Sequence, residues 1–379
     1  MLVFLMGGGK GLKSAMERNF DGFAQNSCFL SSDKTRLAYE GFQSGRVWDL
    51  NNDDVKNIKE QVSGVDAVVG VLARWSRTYS VGDNSGSGTL KGVTPNYVAL
   101  DAPHLKFGRF INESDVRFRR KVCVIGKRVR EQLFPSVANP CGKYVCVDSV
   151  YYQVIGISNT SGNVGVMGAS QTSVLIPYTT MQSIYNIGPK IDMLGFTAKA
   201  GFTVTQLQEQ AVGVVKRAHH ISPADNKAIR IMNLEAMFQM VDSLFVGINY
   251  LVWLIGIGTL FSGAVGVSNI MMVTVRERTS EIGIRRAIGA KPSTILKQIM
   301  AESVLLTMIA GLSGITFAVW LLQAVEAAMA SQGNEASFQI SFGMAVASML
   351  AIALVGALAG LAPSFRALAI KPIDAIRDE

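Results

Sequence analysis

Val275–Pro292 reads VRERTSEIGIRRAIGAKP and stands directly behind a long apolar segment. The 33 residues Ser243–Val275 carry no charged side chain, whereas eight of the 23 positions Arg276–Gln298 are charged. Within the quoted stretch, Ile284 and Ile288 recur at the i,i+4 spacing of one helical face, and Glu281 and Arg285 are spaced for an ion pair. Thr279 or Ser280 can cap the start of a helix, and Gly289 can end it. Pro292 suits the first turn of a following helix. The pattern predicts a short amphipathic helix, Ser280 to Ile288, joined stiffly to two apolar segments. Two uses fit it: an interfacial helix resting on anionic lipid, or a lever gripped by a cytoplasmic partner.

The composition agrees that part of the chain lies in a membrane. Only 17% of its 379 residues are charged, against about 25% in a soluble domain. Forty-seven of the 64 charged residues lie in 1–242, and the last 137 positions hold 17. A span needs ~20 mostly apolar residues. Leu244–Val273, Ser303–Val325 (within 300–325) and Ile340–Pro363 qualify. Small residues at four-residue spacing, Gly258, Ser262 and Gly266 in the first and Gly356 and Gly360 in the third, would let helix backbones approach closely. Abundant glycine in membrane helices accounts for them equally well.

Orientation follows from the loops. Arg276–Glu302 carries six Lys/Arg, whereas Glu326–Gln339 carries none. Basic short loops stay in the cytoplasm, so the quoted stretch is expected inside, the 326–339 loop outside, and the tail 364–379 inside. The polar part up to Asp242 is then outside, which requires a span before it. The opening MLVFLMGGGKGLKS, residues 1–14, reads as the second half of such a helix. It does not form a phosphate loop, because GxxxxGK[ST] needs Gly where Leu12 stands. The chain itself is therefore not expected to bind ATP.

The outer part, 15–243, reads as two α/β units around a β-rich insertion. In the first, a helix Asp53–Val62 with Val55, Ile58 and Val62 on one face stops at Gly64, and a strand Val65–Leu72 follows. The second has a strand Leu194–Lys199, a helix from Thr205 with a Thr205/Gln208 capping box, and a strand Ala228–Met232. Between them lie a glycine-rich linker Gly82–Gly88, a buried strand Val122–Ile125 and a helix Lys127–Phe134. A hairpin pairs Tyr144–Val147 with Tyr151–Ile157 about Asp148–Ser149. The charge of +8 does not imply nucleic acid: basic residues are scattered among acids, and the Arg117–Lys121 run lacks an aromatic stripe. Four cysteines are too few for a disulfide scaffold; Cys123 reads as core, and a Cys141–Cys146 bridge across the hairpin remains open. Neighbouring His219 and His220 on a helix would face apart, so they make a poor metal pair. No catalytic constellation is visible.

VRERTSEIGIRRAIGA resembles the coupling-helix signature of the MacB/FtsX-type permeases of ABC transporters. The resemblance extends through GRFINESD (Gly108–Asp115), KVCVIG (Lys121–Gly126), LF (Leu133–Phe134), CGKY (Cys141–Tyr144) and VIGI (Val154–Ile157). The ending LAPSFRALAIKPIDAIRDE is similar to the family's closing motif, with Pro363, Ala367, Pro372, Ala375 and Arg377 in place. The resemblance implies a membrane α-helical bundle, a four-helix permease, with an α+β extracytoplasmic domain. That domain would have a porter-like part (45–84 and 190–235) and a sabre-like insertion (85–190). It implies a homodimer in the bacterial inner membrane, with a large periplasmic domain. An ABC ATPase subunit, with ATP and Mg bound there and not on this chain, would grip residues 276–291. The contacts would come from Arg276, Glu277, Arg278, Thr279, Glu281, Ile282, Gly283, Ile284, Arg285, Arg286, Ile288 and Gly289. Glu302 matches a recurrent family Glu and is expected to pair with Lys297 or Arg286 at the cytoplasmic surface. The work implied is mechanotransmission for efflux, with a periplasmic adaptor and an outer-membrane channel as further partners. A regulator of a periplasmic wall hydrolase and a lipoprotein-release permease share the signature. The size of the outer domain favours export.

Overall fold

The computed structural model describes residues 2–20, 22–160, 164–331 and 341–369. In chain order come α1 (Leu2–Asn19), β1 (Ser27–Ser32), β2 (Leu50–Asn51), α2 (Asn52–Gln61), β3 (Val65–Val81) and β4 (Asn84–Val93). They are followed by β5 (Leu105–Gly108), α3 (Glu113–Arg117), β6 (Val122–Ile125), α4 (Lys127–Leu133), β7 (Tyr144–Val147) and β8 (Val150–Ser158). Next are β9 (Ser173–Pro177), α5 (Tyr178–Ile184), β10 (Lys190–Ile191), β11 (Met193–Ala198), α6 (Val204–Ala218) and β12 (Ile229–Asn233). The last are α7 (Leu234–Glu277), α8 (Thr279–Ala287), α9 (Pro292–Ser331) and α10 (Phe342–Leu368). The chain forms two compact units: Glu17–Asp242, and Met1–Met16 with Ser243–Glu379.

The Glu17–Asp242 unit is built on a ten-stranded sheet in the order β12-β1-β11-β3-β4-β9-β6-β8-β5, with β7 pairing β3 and β8. The 17-residue β3 serves both halves. Its residues Val65–Val71 pair with β11, and Leu72–Val81 pair with β4. The apolar run read as ending at Leu72 therefore continues as a strand. Alternation along β1 shows why the sheet is covered on both faces. Cys28 and Leu30 enter the core beneath α2 and α6, whereas Phe29 points to the opposite face with Val69, Tyr97 and Leu100. A separate core under α4 and α5 holds Tyr79, Cys123, Tyr152 and Ile176.

Local chemistry sets several of these elements. Asn51 and Asp54 form the capping box that starts α2, and Gly64, at φ +108°, makes the exit that an L side chain resists. Asp148 and Ser149 both have positive φ, the mark of a type I′ turn in the β7–β8 hairpin. Two readings are corrected. The Gly82–Gly88 stretch is a tight turn entering β4, not a linker. A Cβ at Gly88 would lie 2.0 Å from the Thr172 carbonyl oxygen, and one at Gly86 would meet the Tyr79 ring at 2.5 Å. These glycines admit a close packing of backbone and ring, while Tyr79 donates its hydroxyl to the Ser87 carbonyl at 2.9 Å. The α6 start is not a Thr205/Gln208 box either. Glu235 accepts from the Val204 amide at 2.6 Å, and Thr205 and Gln208 both receive Asn233 instead.

One charged side chain of β4 is fully buried. Lys91 donates Nζ to the Gly168 carbonyl at 2.7 Å. Asp101 accepts from the Tyr97 hydroxyl at 2.7 Å and from the Ser170 hydroxyl at 3.0 Å, so residues 168–170 are held by both charged groups. Burial pushes the Lys91 ammonium down to about 8, with the Asp101 carboxylate opposing that shift.

In the other unit, α7, α9 and α10 are each long and apolar enough to cross a membrane. The reading 244–273 lies inside the 44-residue α7. Likewise 300–325 lies inside α9, and Pro292 opens that helix as its spacing predicts. Ile340 lies outside the described residues, and the third helix starts behind an Ser341 cap. Gly356 and Gly360 pack on α9: Ser303 donates to the Gly356 carbonyl at 2.8 Å, and a Cβ on Gly356 would meet Thr307 Oγ1 at 2.0 Å. Gly258 and Gly266 of α7 have nothing within 4 Å of an added Cβ, so the same spacing packs in α10 and stands open in α7. Of residues 1–14, Met1 lies outside the described residues and 2–14 lie within the longer α1.

Two outcomes follow from this packing. Gly356→Leu should destabilise the α9–α10 pair by about 1–3 kcal/mol, and Gly258→Leu should be close to neutral. Thermal midpoints of the full chain in detergent check both. For Lys91, the unfolded chain holds its proton up to the ordinary 10.5, whereas the folded chain releases it near 8. The unfolded state therefore binds more protons between those values, and stability rises with pH across that window. The urea midpoint of the wild type, followed by pulse proteolysis of the full chain, should gain on that of Lys91→Met between pH 7 and pH 10. A constant difference would refute the assignment.

Candidate functional site: the α7–α8–α9 elbow

The charged stretch folds as an elbow. α7 ends at Glu277, Arg278 is the joint, and α8 covers nine residues from Thr279 to Ala287. Gly289, at φ +101°, then reverses the chain into α9. The left-handed conformation there is why a glycine stands at the end of this helix. Neither Thr279 nor Ser280 caps α8, contrary to the spacing-based expectation. Thr279 Oγ1 turns back to the last carbonyls of α7, at 3.2 Å from Val275 O and 2.7 Å from Arg276 O. A helix end leaves its final carbonyls without partners, and the hydroxyl meets two of them.

α8 is seated by an apolar seam made of Met271 and Val275 from α7, Ile282, Ile295 and Ile299 from α9, and Ala367 from α10. Gly283 is buried beside Ile282, while Ile284 and Ile288 are 49% and 83% exposed. Charged groups close over the seam. Arg285 donates to Glu281 at 2.6 Å and to Gln298 Oε1 at 2.9 Å. Gln298 in turn donates to Glu302 at 3.3 Å, and Arg278 pairs with Glu302 at 3.4 Å. The Glu281–Arg285 pair has its predicted i,i+4 form. Glu302 takes Arg278 as its cation in place of Lys297 or Arg286. The α7–α8 joint brings Arg278 over the start of α9, and Arg286 is turned to the Leu368 carbonyl at 2.8 Å. Lys297, Arg276, Glu277 and Lys291 are exposed. The hollow between Arg278, Glu281, Arg285, Gln298 and Glu302 measures about 30 Å³, the space of a single water. A hollow of that size has no room for a nucleotide.

In the outer unit, the motif residues found by sequence have structural employment. Asp115 of GRFINESD is fully buried. It accepts from Arg109 at 2.5 and 3.1 Å, from the Asn112 amide at 3.1 Å, and pairs with Arg120 at 3.6 Å. Burial favours its neutral acid, but Arg109 and the Asn112 amide hold the carboxyl below the ordinary range. His219 and His220 reach different carboxylates. His219 Nε2 is 2.9 Å from both oxygens of Asp54, with the Trp48 ring tilted against it at 4.6 Å between centroids, and His220 Nδ1 is 2.5 Å from Glu40. Cys141 and Cys146 are unbridged thiols, and Cys123 is buried in the core. Burial pushes the Cys28 thiol up to about 12, so it stays protonated at neutral pH. Pro363 and Ala367 of the closing motif are in α10, with Ala367 fully buried. Pro372, Ala375 and Arg377 lie outside the described residues.

Comparison with known proteins agrees with this arrangement. Residues 1–214 match the model of the MacB-like periplasmic core domain, and residues 253–372 match that of the FtsX-like permease C-terminal region. The chain belongs to the MacB/FtsX family of ABC-transporter permeases, and is a membrane protein with an extracellular domain. The macrolide export ATP-binding/permease protein MacB of Bdellovibrio bacteriovorus is 28% identical over 382 residues, covering 100% of this chain and 57% of that protein. The pyoverdine export ATP-binding/permease protein PvdT of Pseudomonas syringae pv. syringae is 31% identical over 274 residues, 72% of this chain and 40% of that protein. The chain thus spans about half the length of the curated relatives it matches. Among solved structures, the periplasmic region of MacB from Actinobacillus actinomycetemcomitans matches at 21% identity and a TM-score of 0.47, over 58% of this chain and 94% of that one.

The hydroxyl of Thr279 is the local feature that spacing misassigned. Thr279→Val keeps its shape and removes both bonds, so amide exchange across residues 276–280 should quicken several-fold, while Ser280→Ala should leave it unchanged. Hydrogen-exchange mass spectrometry of the full chain reads the two variants. A larger effect from Ser280→Ala would restore the spacing-based cap.

Proposed function

We propose that this permease transmits the state of a partner ABC ATPase to its extracellular domain, and that the work serves export. One observation carries the reading. Ile284 and Ile288 form an exposed apolar ridge on a helix held in place by a seam and a chain of hydrogen bonds. An apolar ridge flanked by fixed charges is what a groove on a partner protein recognises. A helix so firmly seated passes on any displacement imposed at the ridge. The relatives named above are export ATP-binding/permease proteins, which supports export over regulation of a periplasmic enzyme or lipoprotein release.

In this reading ATP and Mg bind the ATPase, and the permease supplies the mechanical link. The grouping of Met1–Met16 with α7–α10 supports a four-helix membrane part. The open glycine spacing on α7 suits a second copy of the chain, making a homodimer. The protein would sit in the bacterial inner membrane with its outer domain in the periplasm, where an adaptor and an outer-membrane channel complete the route.

Affinity capture from membranes tests the reading. The wild-type chain should bring down an ABC ATPase, and Ile284→Asp/Ile288→Asp should lose at least about tenfold of it, since each buried aliphatic anchor contributes on the order of 1.5–3 kcal/mol. Undiminished capture by the double variant would make the ridge a lipid-surface element.

A further inference from the structure

α8 advances 100° per residue, so residues two apart lie on nearly opposite faces and residues four apart share one. Ile284 and Ile288 make one face, and both are exposed. Ile282 and Arg286 make the other. Ile282 is in the apolar seam, and Arg286 extends Nη1 to the carbonyl oxygen of Leu368 at 2.8 Å, 82 residues away in the chain. Leu368 is the last residue of α10.

This contact suits its chemistry. The last carbonyls of a helix have no amide partners within it, and the aligned peptide dipoles leave partial negative charge there. A guanidinium carries its charge at every physiological pH and presents several donors in a fixed plane. Ala367, next to the acceptor, is fully buried in the same seam. Further along, α10 is locked to α9 where Ser303 bonds the Gly356 carbonyl. The end of α10 is therefore bound to α8 by an apolar contact and a charge-assisted hydrogen bond at adjacent residues.

We infer that the two faces of α8 have separate tasks: Ile284 and Ile288 engage the partner, and Arg286 is a positioning residue that ties α8 to the carbonyl end of α10 so that the helices move together. This deepens the ATPase-coupling reading and rests on it for the identity of the force, whereas the tie itself is a property of the permease alone. It also takes Arg286 out of the docking set in which the family resemblance places it. Arg285 stands between the two tasks, on the flank, and links α8 to α9 through Gln298.

The test uses the full chain in lipid nanodiscs and compares wild type, Arg286→Ala, Arg286→Lys and Ile284→Asp/Ile288→Asp. Hydrogen exchange of residues 364–369 reads the tie. Arg286→Ala should exchange about tenfold faster there, as loss of a charge-assisted bond implies. Arg286→Lys, which keeps a cationic donor, should restore most of the protection, and the isoleucine variant should match wild type. Capture of the ATPase reads docking: Arg286→Ala should keep it within about twofold, while the isoleucine pair loses it. In the captured Arg286→Ala complex, the ATP-dependent change in α10 exchange seen with wild type should be absent. Exchange in Arg286→Ala equal to wild type would overturn the tie. Capture lost in Arg286→Ala as fully as in the isoleucine pair would make Arg286 a docking residue and overturn the division of tasks. A wild-type chain that captures no ATPase would instead overturn the coupling reading, and exchange at 364–369 would still decide the tie.

Discussion

Ile282 is the one residue of α8 in the apolar seam, where α7, α9 and α10 meet. A nine-residue helix is too short to be stable in water by itself, so its fold depends on that burial. Once Ile282 points inward, helical geometry leaves no choice for the others. Arg286 must follow it inward, Ile284 and Ile288 must face out, and Glu281 and Arg285 must lie along the flank. The hydrogen-bonded chain from Glu281 through Arg285 and Gln298 to Glu302 and Arg278 then closes over the seam. These side chains are half exposed, and exposed ion pairs add little stability singly. Their contribution is geometric: they link α8 to the start of α9 and the joint residue Arg278 to Glu302.

The outer unit answers a similar demand by other means. A single strand, β3, passes from one pairing partner to another at Val71/Leu72. A strand that continues through both halves joins them in one sheet, with a bulge between Arg74 and Arg77. The buried pair of charged groups, Lys91 and Asp101, sits beside this sheet and holds residues 168–170. Buried charges cost stability unless partnered, and here each is met by a carbonyl or hydroxyl oxygen. Asp115 does the same at α3, drawing Arg109 and Arg120 onto one fully buried carboxylate.

The residues that sequence resemblance marks fall into two kinds in the structure. Among the described residues, those of GRFINESD and the closing motif are structural: Asp115 organises a turn, and Ala367 is fully buried in the seam. Those of the charged elbow are divided between seating the helix and presenting it. Motif spacing treats both kinds alike because it records which residues recur and not which way they point.

Much was determined by sequence alone. Apolar length located three helices able to cross a membrane, and local signals located α2, the β6 strand, α4, the β7–β8 turn and the glycine that ends α8. Each depends on residues within a few positions of one another, so the pattern is complete in the local text. Other features required the tertiary structure. The partner of Glu302 is Arg278, 24 residues away; α6 is capped by Glu235, 31 residues on; Arg286 reaches Leu368; and Gly86 and Gly88 belong to a strand packed closely on Tyr79 and Thr172. Such choices are made by whichever groups the fold brings within ~3 Å of one another. A short-range pattern offers several equivalent partners, and only the packed chain, by burying some carbonyls and charges and exposing others, selects among them.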